Sequence, residues 1–256
     1  MLWVAARCLF MLPALAFAAG CSNPTERPGP IDGVTVSVRG RVVDAESCAS
    51  TAGCLGVQGM VVRVWGGPDS LVSEPTGLDG AFEIEGLQPG RHEHLVARPE
   101  AAATDFAPTL NPMVLPPEQT EDLFGVELSV LSRAPNSLLE ALRAEGIDLV
   151  LGGGYVGQAV HELGTSVEAA PGVRVHVHPE PASLRFVAAL PRYVPDEPVL
   201  RPSTAETTGP FGIFIAEADR PRDLVAVAAI EEGVDFDLVI TPIEPGMVTY
   251  AIHRGR

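Results

Sequence analysis

The stretch Thr76 to Arg98, TGLDGAFEIEGLQPGRHEHLVAR, constrains the fold more than any other part of the 256-residue chain. Asp79-Gly80 is a turn signal, and after it Phe82 and Ile84 alternate with Glu83 and Glu85, the pattern of a strand with one buried face. Gly86-Leu87-Gln88-Pro89-Gly90 breaks the chain, and Leu95-Val96-Ala97 opens a second apolar strand. Gly209-Pro210-Phe211-Gly212-Ile213 repeats the first part and Leu224-Val225-Ala226 the second, with Phe211 as far from Leu224 as Phe82 is from Leu95. A unit of this length used twice indicates duplicated domains rather than a solenoid.

Other stretches fit the same plan. Val34 to Asp44 and Met60 to Val64 alternate as half-buried strands, and Val126 to Leu131 closes the first half after an irregular passage, Pro99 to Pro117. The 26 Gly and 24 Pro favour short strands joined by turns. Asn136 to Glu145 is the clear helical window, with Leu138, Leu139 and Leu142 on one face and Gly146 as its stop. Beyond it, Val156 to Val160 stands where Arg39 to Val43 stood, Gly172 to His178 where Gly59 to Trp65 stood, and Phe236 to Ile243 supplies a last strand. The expected fold is all-β: two tandem antiparallel sandwiches, residues 34–132 and 147–256, joined by a helix within 133–146.

The first twenty residues form a targeting segment, Arg7 and then the apolar run Cys8 to Phe17, and lie outside the fold. Ala18-Ala19-Gly20-Cys21 resembles the lipobox of bacterial lipoproteins, which implies lipidation of Cys21 and a membrane partner reached through that lipid. Ser22 after it is compatible with the outer membrane. The proline-bearing residues 21–33 then serve as a tether. With Cys8 removed and Cys21 lipidated, Cys48 and Cys54 remain in an exported chain, and a disulfide between them is expected.

Gly40 to Asp44, Gly59 to Val64 and the D-G-x-F-x-I-x-G-L-x-P-G core resemble the carboxypeptidase regulatory-like domain, a transthyretin-like, Ig-like sandwich. In the second copy Thr208-Gly209 stands for the Asp-Gly, and Glu217 to Pro221 for the G-L-x-P-G turn. The resemblance implies an accessory module of secreted proteins, used for binding, spacing or supporting a neighbour, and it does not imply peptidase activity. With the lipobox, the repeat and no complete catalytic set in the sequence, the expectation is a non-enzymatic cell-envelope binding or scaffolding protein without a cofactor and with a protein or glycan partner.

The net charge of −16, from 33 acidic against 17 basic residues, argues against nucleic acid, which selects a concentrated basic face. Trp65 and Arg63 share the outward face of their strand and form the candidate binding pair. His176 and His178 sit two apart on one strand face and are candidate metal ligands, though a solvent face opposite Val173, Val175 and Val177 explains them better. The competing reading is a dinucleotide-binding enzyme: Ile147 to Leu151 as a strand, then Gly152-Gly153-Gly154-Tyr155-Val156-Gly157 as G-x-G-x-x-G, with residues 158–170 as the following helix. The prolines beyond residue 178 leave no room for the helices such a fold needs.

Overall fold

A computed structural model describes residues 33–50, 53–90, 92–100, 105–116, 118–164, 166–202, 204–217 and 224–256. The signal segment and Cys21 lie outside the described residues, as does most of the Glu217 to Pro221 turn. In chain order the first half comprises β1 (Val36–Asp44), α1 (Ala45–Ala49), β2 (Met60–Val64), β3 (Ala81–Leu87), β4 (His92–Pro99), β5 (Thr109–Val114) and β6 (Leu123–Val130). Two helical turns follow, α2 (Leu138–Ala144) and α3 (Leu149–Gly152). The second half comprises β7 (Gly154–Leu163), β8 (Ser166–Ala169), β9 (Arg174–His178), β10 (Ser183–Phe186), β11 (Ile213–Glu217), β12 (Leu224–Ile230), β13 (Val239–Pro242) and β14 (Val248–Gly255).

The fold is the expected mostly-β sandwich, and its strand pairings follow one pattern in the two halves. In the first half β1 lies between β3 and β6, facing a sheet of β2, β4 and β5. In the second half β7 lies between β11 and β14, and β12 lies between β9 and β13. Alternating residues of β1 to β4 and β6, among them Val38, Val62, Ile84, Leu95 and Leu128, fill the first core. Tyr155, Phe214, Val227 and Ala251 fill the corresponding space in the second. The sheets are mixed rather than wholly antiparallel, because β1–β6, β7–β14 and β14–β5 pair in parallel. The closing strand of each half arrives from the opposite sheet instead of turning back in a hairpin, so it runs alongside the first strand.

The repeat has a different register from the one that its aromatic residues suggest. Thr76 and Thr208 are the equivalent residues. The Thr76 hydroxyl accepts from Met60 N at 2.9 Å and donates to Val57 O at 2.7 Å, while that of Thr208 accepts from Val173 N at 3.0 Å and donates to Ala170 O at 2.8 Å. Thr208-Gly209 therefore matches Thr76-Gly77, and Phe211-Gly212 replaces Asp79-Gly80. Gly80 (φ +79°) and Gly212 (φ +67°) accept from Val42 N and Ala159 N through the same turn. Phe82 then corresponds to Phe214, and Leu95 to Val227. Matching Phe82 to Phe211 displaced both ends of the comparison by the same three residues, which preserved the spacing and concealed the slip.

Three further expectations are corrected. Ile147 to Leu151 is not a strand; Asp148 caps the helical turn α3 by accepting from Val150 N and Leu151 N at 3.2 and 3.1 Å. Residues 99–117 are not wholly irregular, since they contain β5. The final strand is β14, beyond β13, and it carries the junction of the two halves: Val248 and Thr249 pair with Thr109 and Leu110, so one eight-stranded sheet runs through both halves.

The helix falls where the leucine spacing predicts. Ser137 caps α2 by accepting from Glu140 N at 3.3 Å, and Leu138, Leu139 and Leu142 pack with Val156, Ile213, Ile215 and Tyr250 on the outer face of β7, β11 and β14. Those strands are thus buried on both faces, and β11 reads as a continuous apolar run for that reason. Cys48 and Cys54 form the disulfide, Cα to Cα 4.1 Å, directly after β1.

Candidate binding surface

Strand register assembles a candidate site on the outer face of β2 and β4. Trp65 lies beside His94, with Trp65 N donating to His94 O at 2.7 Å and the two rings edge-on at 5.9 Å. Arg63 pairs with Val96, and Val61 with Arg98, so both arginines flank Val96 on the same face. Val96 is itself buried against Leu110 and Met247, the last of which comes from the second half. Trp65 is 36% exposed and both arginines are exposed. A pocket of about 240 Å³ is lined by Arg63, Trp65, Val96 and Arg98, with the Gly66-Gly67-Pro68-Asp69 turn as its rim.

Arg63 and Trp65 were legible from the alternation of β2. Arg98 was not singled out, although its two-residue spacing from Val96 is the signal that would have found it; His94 was legible only as half of the H-x-H pair His92-His94. Among the described residues neither Arg63 nor Arg98 forms an ion pair, Asp69 included. Arg39, Arg143, Arg192, Arg254 and Arg256 all do.

The second candidate pair lies at the equivalent place in the other half. His176 and His178 correspond to Arg63 and Trp65, and both are exposed on β9 opposite Ala228 and Ala226. No group of three or more His, Cys, Asp or Glu side chains able to hold a metal occurs among the described residues.

The G-x-G-x-x-G is not a phosphate cradle. Gly154 opens β7, and Tyr155 to Gly157 continue as strand rather than entering a helix. Val160 to Leu163 pair antiparallel with Ser166 to Ala169, β7 with β8, instead of entering a helix. Two of the glycines serve packing: a Cβ on Gly157 would lie 2.1 Å from Phe214 Cζ, and one on Gly154 would lie 2.5 Å from Leu149 Cδ2. Gly40 also lies beside the Phe82 ring in the first half, although a Cβ there would first meet Val126 O at 1.8 Å. The dinucleotide reading is therefore overturned.

A larger cleft, about 860 Å³, opens between the halves and is lined by Cys48, Gln158, Tyr193, Phe211, Ile252 and Arg254 among others. Two of its polar side chains are already engaged. Arg254 binds Glu162 at 3.0 Å, and Gln158 receives Tyr250 Oη at 2.9 Å and donates to Phe211 O at 3.2 Å.

The strongly shifted titratable groups are interior. Burial raises the Glu46 carboxyl to about 7, although its Oε1 accepts from Leu138 N at 3.0 Å. Burial also raises the neighbouring Asp44, against the opposing pull of Arg192 at 2.7 Å. Burial lowers His253 to about 4.

The chain matches no family model and no curated protein. Among solved structures it is similar to the minor pilin GBS52 of Streptococcus agalactiae, at 11% identity and TM-score 0.27 over 86% of this chain and 96% of that one. The shaft pilin SpaA of Lactobacillus rhamnosus GG gives 10% identity and TM-score 0.26, over 87% and 98%. The Bacillus anthracis TIE protein gives 9% and 0.25, and this chain spans only 34% of its length. Scores this low carry no inference from those proteins to this one.

Proposed function

We propose that the protein is a non-enzymatic lipoprotein of the cell envelope, held in the outer membrane through Cys21, whose two sandwich modules of the carboxypeptidase regulatory-like kind present a binding face at Arg63, Trp65 and Arg98. The observation that carries this reading is the pair of exposed arginines without acidic partners among the described residues, beside a part-exposed indole, in a chain of net charge −16. Unneutralised cations and aromatic rings at a surface are where partners attach. The continuous sheet through β5 and β14 supports the scaffolding part, because relative motion of the modules would break main-chain pairing. The shifted groups Glu46, Tyr155, Tyr250 and His253 lie in packed cores rather than in a cleft open to substrate, which favours binding over turnover.

Growth of cells expressing the full chain in radioactive palmitate tests the anchor. The expected result is label in the wild type, none in Cys21→Ala, and release of that variant from the membrane fraction. Equal membrane retention of an unlabelled wild type and Cys21→Ala would remove the lipoprotein reading.

A further inference from the structure

Resting on that reading, we infer that the β2–β4 face binds an acidic saccharide, with Arg63 and Arg98 taking a uronate carboxylate and Trp65 packing against a sugar ring. Three observations select this chemistry. First, the two guanidinium groups lie on one face with Val96 between them and no acidic partner among the described residues, so each keeps its planar donor fork for a carboxylate. Second, the pocket beside Trp65, about 240 Å³, is below the range of drug-sized sites and suits one ring-sized unit. The indole offers an apolar face at its edge.

Third, the main-chain edge of β2 is already occupied. Val64 N donates to Leu71 O at 3.2 Å and Ser73 N to Val62 O at 2.8 Å, and Arg63 bridges to Val72. An extended peptide therefore cannot add itself as a further strand there, which removes the commonest way a sheet edge recognises peptides. Recognition must pass through side chains standing out of the sheet face. The net charge of −16 also disfavours a dense polyanion such as nucleic acid relative to a short oligosaccharide with isolated carboxylates.

Isothermal calorimetry on the full chain in detergent micelles tests this with three probes: a trimer of galacturonic acid, the same trimer with its carboxyls reduced to alcohols, and hexaglutamate peptide. The expected result is saturable binding of the acidic trimer, weakened at least tenfold by carboxyl reduction and by each of Arg63→Gln, Arg98→Gln and Trp65→Ala. Arg174→Gln, on the equivalent face of the second module, should leave binding unchanged and control for overall charge. Absence of saturable binding overturns the proposal, as do insensitivity to Arg63→Gln and Arg98→Gln, an equal loss with Arg174→Gln, or hexaglutamate binding as tightly as the trimer. These outcomes are independent of palmitate incorporation at Cys21, so failure of the ligand class and failure of the anchored-lipoprotein reading are read separately.

Discussion

Tyr155 Oη lies 2.7 Å from His253 Nε2 in the core of the second module, where the first module has Val38 and Leu128. The opposite ring nitrogen, Nδ1, faces Asp237 O at 3.1 Å, which assigns the proton to Nδ1 and leaves Nε2 to accept from the tyrosine. The two halves thus have cores of one plan, with a polar pair in the second where the first is apolar. His253→Leu alone strands a buried hydroxyl and should cost about 2 kcal/mol. Adding Tyr155→Phe should recover most of it, measured by urea unfolding. Equal cost in the single and double variants would show that the pair is not coupled.

The interior groups give a defined pH response. His253 titrates near 4 folded and near 6.5 unfolded, so the unfolded chain takes up the proton first. Its contribution is complete above about 6.5 and declines as pH falls towards 4, by up to about 3 kcal/mol. Glu46 has the opposite sign. It titrates near 7 folded and 4.5 unfolded, so its contribution is complete below 4.5 and is lost as pH rises to 7. The two slopes oppose each other in the wild type. Glu46→Gln, which keeps an acceptor for Leu138 N, should leave stability rising with pH between 4 and 6.5. A pH profile parallel to the wild type would refute this.

Gly157→Ala should destabilise by about 3 kcal/mol or more, because the new methyl group meets the Phe214 ring at 2.1 Å in a packed sheet. Phe214→Leu should partly rescue it, since it removes the opposing ring edge. Thermal unfolding of the single and double variants measures both effects, and additivity of the two costs would exclude the proposed clash.

Thr76→Val and Thr208→Val each remove a hydroxyl that serves one buried donor and one buried acceptor. Each should cost about 2–3 kcal/mol, similarly in the two modules because the geometry is shared. Retention of full stability by either variant would mean that the threonine bridges are not structural.

Reduction of Cys48–Cys54 closes off a smaller effect, about 2 kcal/mol by loop-closure entropy. Its loop lines the cleft between the halves, so the loss should appear in global unfolding rather than at the β2–β4 face. Saccharide binding that vanished on reduction would contradict that separation.

The sequence by itself determined the strand-rich class, the duplication, the helix at Leu138 to Leu142 and the outward face of Trp65 and Arg63. Each is a local periodicity or turn signal, carried by neighbours two to four residues apart. The registration of the repeat was not local. Thr76 and Thr208 are recognisable as equivalent only through their bonds to Val57 and Met60, and to Ala170 and Val173. The glycine run illustrates the same limit, since Gly152 to Gly157 carries a phosphate-loop pattern while Gly157 answers to Phe214, far along the chain. Arg98 likewise joined Arg63 only when β2 met β4. Tertiary structure decided those matters because strand pairing brings together residues of unrelated sequence position, and hydrogen-bond satisfaction and steric fit between such residues have no period to read.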